Sequence, residues 1–167
     1  ALGGEPLSNL RGEACVRAGR VAWYHGEYEQ AVALSEQGLR LCEQSGNRRW
    51  VALALNSLGI VASYRAEYDR ARNFLEQTSA IGTELNDTDL VNRSLANLGI
   101  LALYQGNYER ARELLEQSLL LCRKLGDQVE AAIVLNNLGE IAFDLGNVEQ
   151  ATTYFEQALA VGRERGA

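Results

Sequence analysis

Proline is almost missing from this chain of 167 residues, with Pro6 the single example. That is too few for a loop-rich or all-β protein, whose turns draw heavily on proline. Lysine is equally scarce. Of the 16 basic residues only Lys124 is a lysine, and the arginines are scattered among 22 acids for a net charge of -6. No basic stripe results, so no direct nucleic-acid partner is expected. Apolar runs are short. None approaches the roughly 18–20 residues that span a bilayer, and no membrane partner is expected either. Histidine occurs once, at His25. No Cys/His cluster has the spacing of metal ligands, and no phosphate loop or nucleophile elbow is present. The sequence therefore offers no catalytic residues, no metal site and no cofactor, and the chain is not expected to be an enzyme.

What is abundant is repetition. Gly26-Glu27-Tyr28, Ala66-Glu67-Tyr68, Gly106-Asn107-Tyr108 and Gly146-Asn147-Val148 follow one another at intervals of 40 residues. Leu58-Gly59, Leu98-Gly99 and Leu138-Gly139 keep the same interval, with Ala18-Gly19 as the first copy. So do Glu36-Gln37, Glu76-Gln77, Glu116-Gln117 and Glu156-Gln157, the marks of a solvated outer face rather than of acid/base pairs. A fixed period of this size signals a stacked array in which each unit shields its neighbour. The expectation is a single array over 1–167 with repeats at about 7–46, 47–86, 87–126 and 127–166.

Each unit reads as two helices. In the second, Trp50, Ala54, Leu58, Val61 and Ala62 recur with helical rhythm and define helix A, which stops near Ala66. Its siblings there are Gly26, Gly106 and Gly146, the residue that most easily adopts the left-handed conformation ending a helix. Tyr68, Ala71, Leu75, Thr78 and Ile81 define helix B, which ends at Asn86, where siblings have Gly46 and Gly126. Asn47, Asp87 and Asp127 are placed to cap the next helix A. Gly19, Gly59, Gly99 and Gly139 fall inside helix A, where glycine costs about 1 kcal/mol relative to alanine. Four such costs imply that a side chain there would push the partner helix away. Ala22, Ala62, Ala102 and Ala142 on helix A, and Ala31, Ala71, Ala111 and Ala151 on helix B, follow the same logic. Cys42, Gly82, Cys122 and Gly162 share one position, so cysteine serves there as a small buried residue. Cys42 and Cys122 lie two units apart, roughly tens of Å given helix layers of about 8–10 Å, which is too far for a disulfide. Free thiols fit a reducing, cytoplasmic compartment.

These residues are the signature of the tetratricopeptide repeat, which the chain resembles over essentially its whole length. The pattern of Leu-Gly, Gly-x-Tyr-x-x-Ala, a large apolar residue and a small one reads Leu98-Gly99, Gly106, Tyr108, Ala111, Leu115 and Ser118 in the third unit. Two departures stand out. Alanine (22, 62, 102, 142) replaces the usual aromatic three residues after the glycine, and the period is 40 rather than 34. The longer form is similar to the sensor arms of large bacterial signal-transduction ATPases and helix-turn-helix regulators, and to peptide-binding polarity adaptors. The resemblance implies an all-α, right-handed superhelical solenoid of four repeats and eight helices, with the A helices lining a concave groove.

The stripe of helix A opposite its packed face reads Glu13, Arg17, Arg20, Tyr24, then Leu53, Ser57, Ile60, Tyr64, then Arg93, Asn97, Ile100, Tyr104, then Ile133, Asn137, Glu140, Asp144. A neighbouring stripe supplies Trp23, Asn56, Leu103, Asn136 and Phe143. The candidate groove is thus basic at one end, aliphatic and tyrosine-rich in the middle and acidic at the other. Such a surface suits a protein or peptide partner, with asparagines bonding its backbone and Arg17, Arg20 and Arg93 pairing with its acids. A structural role competes at several positions. Tyr24, Tyr64 and Tyr104 can cover the junction between units, Asn97 and Asn137 can tie helices together, and Tyr28, Tyr68 and Tyr108 belong to the repeat itself. Trp23 and Phe143 stand where siblings have Ser63 and Leu103, and are the sharper functional leads. Lys124 falls on helix B, so the lysine clamp that family members use for chaperone tails is not expected.

The function expected is a protein-interaction module, the sensor or scaffold arm of a larger bacterial regulator. The alternative is a sensor of a small effector that controls an attached ATPase or DNA-binding domain. Ala1-Leu2-Gly3-Gly4 aligns with the tail of a helix B, and Gly166-Ala167 stand where a further unit would start. The natural protein is expected to continue on both sides. With Tyr154, Ala158 and Leu159 then uncovered, self-association through the last helix is expected.

Overall fold

The computed structural model describes the backbone of residues 5–164 and the side chains of residues 9–161. Ala1-Leu2-Gly3-Gly4, the Gly162 position and Gly166-Ala167, on which parts of the repeat alignment rest, lie outside the described side chains. Eight α-helices and no strands are present among the described residues: α1 (Glu5–Tyr24), α2 (Tyr28–Gln44), α3 (Arg48–Tyr64), α4 (Tyr68–Glu84), α5 (Thr88–Tyr104), α6 (Tyr108–Leu125), α7 (Gln128–Asp144) and α8 (Val148–Glu164). Odd-numbered helices are the A helices, even-numbered the B helices.

Seven short turns connect them, and all seven use one device. The backbone is left-handed at Gly26, Gly46, Gly106, Gly126 and Gly146, and also at Ala66 (φ 59°) and Asn86 (φ 54°). In each turn the next residue's N–H returns to a carbonyl inside the finished helix, as from Glu67 to Ala62 (2.9 Å) and from Asp87 to Gly82 (2.8 Å). The following helix then starts on a cap. Asn47 accepts from the Trp50 N–H, Asn107 from Arg110, Asp127 from Glu130 and Asn147 from Gln150. Asp87 accepts from both Asp89 and Leu90. Glu27 and Glu67 occupy the cap position of α2 and α4 without such a bond.

Contacts divide the chain into two compact units, residues 1–94 and 95–167. In the first, α1 packs on α2, α3 on α4, and α3 also rests on both helices of the preceding hairpin. One core cluster joins Cys42, Val51, Ala52, Leu55, Ile81 and Leu90, and another joins Ala22, Ala31 and Val61. The glycines inside the A helices explain how the hairpins close. A Cβ on Gly59 would fall 2.8 Å from the Leu75 side chain, and on Gly19 2.7 Å from Ser35 Oγ and 3.1 Å from the Ala31 carbonyl. Ser35 stands where the other hairpins carry Leu75, Leu115 and Phe155. It is fully buried, and its hydroxyl finds no hydrogen-bond partner.

The second unit repeats the scheme. Ala96, Ala102, Ala111, Leu115, Leu119, Cys122, Val134, Leu135, Leu138 and Ile141 share one core. Gly99 faces Leu115 at 2.7 Å and Gly139 faces the Phe155 ring at 2.5 Å from where a Cβ would be. The expectation that Tyr154, Ala158 and Leu159 are jointly uncovered needs correction. Ala158 is buried in this core and Tyr154 packs against it, because both face α7 within their own hairpin. Leu159 alone of the three is open, 59% exposed. The cysteines are free thiols, with Cys42 and Cys122 buried and Cys15 half-buried. No helix among the described residues is long and apolar enough to cross a membrane.

Candidate functional site

In the first unit the stripe on α1 and α3 is open to solvent. Arg17, Arg20 and Tyr24 are exposed and Trp23 is half-buried on α1, while Ile60 is half-buried and Tyr64 exposed on α3. Three aromatic rings gather where the two helices end. The Trp23 ring meets Tyr64 edge-on at 5.4 Å between centroids and Tyr28 at 5.1 Å, and the two tyrosines lie 4.8 Å apart. The hydrogen bond that the Tyr28 phenol makes with Tyr64, more than its desolvation, holds its pKa above the ordinary value. Trp23 is thus pinned by two neighbours with one side still open, a rigid apolar anchor. The aromatic lead at Trp23 and the junction role of Tyr64 meet in one cluster.

Arg17 lies over the Trp50 ring, 4.8 Å from its centroid. The stack orients the guanidinium without neutralising it. Sequence reasoning placed Trp50 on the packed face and so missed this pairing, which joins residues far apart in the chain. Arg93 behaves differently. Its Nε bonds both oxygens of Asp89 at 3.0 Å, one turn earlier on α5, and Asp89 also receives Arg49, which in turn bonds Asp87 at 2.7 Å. The Asp87 carboxyl is partly buried, which by itself would raise its pKa. The bonds from Arg49, Leu90 and Asp89 outweigh that and hold it below the usual range. Arg93 therefore enters an ion-pair network with Asp89 and Arg49 within its own unit.

Asn56 also departs from expectation. It is buried, 8% exposed, at the position that Val16 occupies in the first repeat. Val16 points at its own B helix, with a methyl 2.6 Å from where a Cβ on Gly38 would be. Position 56 is therefore covered and does not belong to the open stripe.

In the second unit Asn97 and Ile100 are half-buried and Tyr104 is exposed on α5. On α7, Asn137 is half-buried, and Asn136, Glu140, Asp144 and Phe143 are exposed, Phe143 at 60%. His25 and Lys124 are both exposed. No group of three His, Cys, Asp or Glu residues among those described could hold a metal ion. One feature without a clear sequence signal is a cleft of about 420 Å³ between α6, α7 and α8, floored by Leu119, Cys122, Ala131, Leu135 and Val161.

The tetratricopeptide repeat profile matches residues 12–84 and 90–164, and the chain belongs to that family. No curated protein matches it significantly. Several solved structures share the fold. BtubC (BKLC) from P. vanneervenii is 18% identical with a TM-score of 0.78, the match covering 96% of this chain and 66% of that one. Aspartyl phosphate phosphatase F from Bacillus subtilis is 13% identical with a TM-score of 0.84, over 95% of this chain and 42% of the other. The signal transduction ATPase with numerous domains (STAND) from Pyrococcus horikoshii, a protein with a tetratricopeptide repeat sensor, is 21% identical with a TM-score of 0.75, over 92% and 23%. The chain thus spans less than two thirds of each of these proteins.

Proposed function

We propose that the chain is a protein-interaction module, and that the open stripe on α1 and α3 recognises a peptide or partner domain bearing acidic residues beside an apolar one. The observation that carries this is the composition of a surface the fold has no need to leave apolar. Tyr24 is 78% exposed and Tyr64 56%, beside the pinned Trp23 and the outward Arg17 and Arg20. Rigid aromatics flanked by arginine are the residues that dominate binding energy at protein interfaces. Burial of Trp23 and Tyr64 by a partner would supply affinity, and the two arginines would set its register and on-rate. Within the second unit the stripe carries Ile100, Tyr104, Asn137 and Phe143, with Glu140 and Asp144 as its charged residues.

Within this reading the chain serves as the sensor or scaffold arm of a larger bacterial regulator. This reading starts from the fold, which the chain shares with a STAND protein from Pyrococcus horikoshii that carries a tetratricopeptide repeat sensor. The test captures partners on the immobilised chain, then measures one by titration calorimetry against a variant carrying Arg17→Ala, Arg20→Ala and Trp23→Ala. Binding is expected to fall by at least about 100-fold with helicity intact. Unchanged affinity would discard the α1–α3 surface.

A further inference from the structure

We propose that the notch where α7 and α8 meet α6 binds a small carboxylate built on one ring, at a site that shares no residue with the α1–α3 stripe. The notch holds about 200 Å³. Leu138, Ile141 and Ala142 of α7 form its buried floor. Arg112 of α6 and Gln150 and Tyr154 of α8 stand half-buried at its rim, with Asn147 in the turn before α8.

Its counterpart in the first unit is lined by the same positions two repeats earlier, from Val32 on α2 to Phe74 on α4, and holds only about 10 Å³. Side chains make the difference. In the first unit Arg70 lies 5.5 Å from the centre of the Phe74 ring and pairs with Glu36 of α2 at 3.6 Å, while Arg65 at the end of α3 bonds Glu29 of α2. Two arginine arms thus cross from one hairpin to the other and close the gap. In the second unit Leu145 replaces Arg65 and Gln150 replaces Arg70, so both arms are missing. Arginine sits instead on α6, where Arg112 replaces Val32 and bonds Glu109 of its own helix at 2.6 Å. Asn147 replaces Glu67, which leaves the lining with one cation and no acid.

Volume and polarity together select the ligand. An apolar cavity of about 150 Å³ takes a benzene molecule, so this notch has room for one ring and a small substituent. The buried floor suits the ring. Glu109 takes one N–H of the Arg112 guanidinium, and the others remain to donate to a planar carboxylate. The Tyr154 hydroxyl accepts from Gln150 at 3.5 Å, and Gln150 in turn accepts from Asn147 at 3.0 Å, so the phenol keeps its own proton to donate.

Benzoate is the probe, titrated against the chain by two-dimensional amide NMR. It should bind saturably, at about millimolar affinity or tighter, with shifts gathered in α6 to α8. Acetate, which lacks the ring, and benzamide, which lacks the charge, should each bind at least about tenfold more weakly. Arg112→Gln should weaken benzoate at least about tenfold and leave benzamide unchanged, with circular dichroism checking that helicity is kept. The variant that truncates Arg17, Arg20 and Trp23 should bind benzoate as the unaltered chain does, so this site and the α1–α3 stripe stand or fall separately. Absence of saturable benzoate binding would overturn the proposal. So would shifts centred outside α6 to α8, loss of binding in the α1–α3 variant, acetate or benzamide binding as tightly as benzoate, or an Arg112→Gln variant whose benzoate affinity is intact.

Discussion

Ala66 shows how much one backbone angle can weigh. It sits at φ 59° in a turn where Gly26, Gly106 and Gly146 occupy the same position without penalty. A Cβ in the left-handed region costs about 1 kcal/mol, and glycine removes that cost at the price of some unfolded-state freedom. Ala66→Gly is expected to raise stability by roughly 0.5–1 kcal/mol, read as a higher midpoint in urea with an unchanged slope. Cys42 gives a second residue-scale expectation. Burial, then the nearby Glu13 and Cys15, push its thiol up to about 11. The thiolate is the reactive form, so at neutral pH iodoacetamide should label Cys15 first and reach Cys42 only when the chain unfolds. Rapid native labelling of Cys42 would contradict its packing against Gly12. The repeat alignment marked this position as small and buried, and its burial was legible without coordinates. Asn56 was not legible, because asparagine looks the same in a list whether it faces solvent or the partner helix.

At the scale of the element, helix boundaries follow local chemistry. Left-handed residues end the helices and Asn or Asp side chains begin five of them, α3, α5, α6, α7 and α8, and both signals stood in the sequence. Asp87 does more than cap α5, since it also receives Arg49 across the hairpin boundary. Its folded pKa is depressed, so its contribution to stability is present above about pH 4–5, near and above the unfolded value, and is lost as pH falls through the folded one. The melting temperature of the unaltered chain should therefore drop as pH is lowered from about 5 toward 3. Asp87→Asn keeps an oxygen for the cap but has no charge to lose, so its melting temperature should be lower at pH 7 and decline less on acidification. Parallel declines would show that the ion pair adds nothing. The Arg49–Asp87–Asp89–Arg93 network itself was invisible to pattern reading. By pattern Arg93 reads as open to an acid of a partner, and only the coordinates show its Nε on Asp89 one turn earlier.

For the whole molecule, repeat architecture makes stability a sum of hairpins and their neighbours instead of one global quantity. Gly99→Leu forces a side chain into the 2.7 Å gap beside Leu115 and should destabilise its hairpin by about 3 kcal/mol. Hydrogen exchange is expected to rise mainly in α5 to α7, with α1 and α2 nearly unchanged. A uniform loss of protection along the chain would mean that the repeats unfold as one body.

The repeating sequence alone determined that the chain is all-helical, where each helix starts and stops, and which small residues let paired helices close. Those properties depend on residues within one repeat and on periods that survive without knowledge of distance. The tertiary structure decided which polar side chains are already engaged: Arg17 on Trp50, Arg93 on Asp89, and Asn56 by burial. It also decided which copies of a repeated apolar position remain uncovered. Equivalent residues such as Leu119 and Leu159 are identical by pattern, and only the presence or absence of a neighbouring helix separates the buried copy from the exposed one.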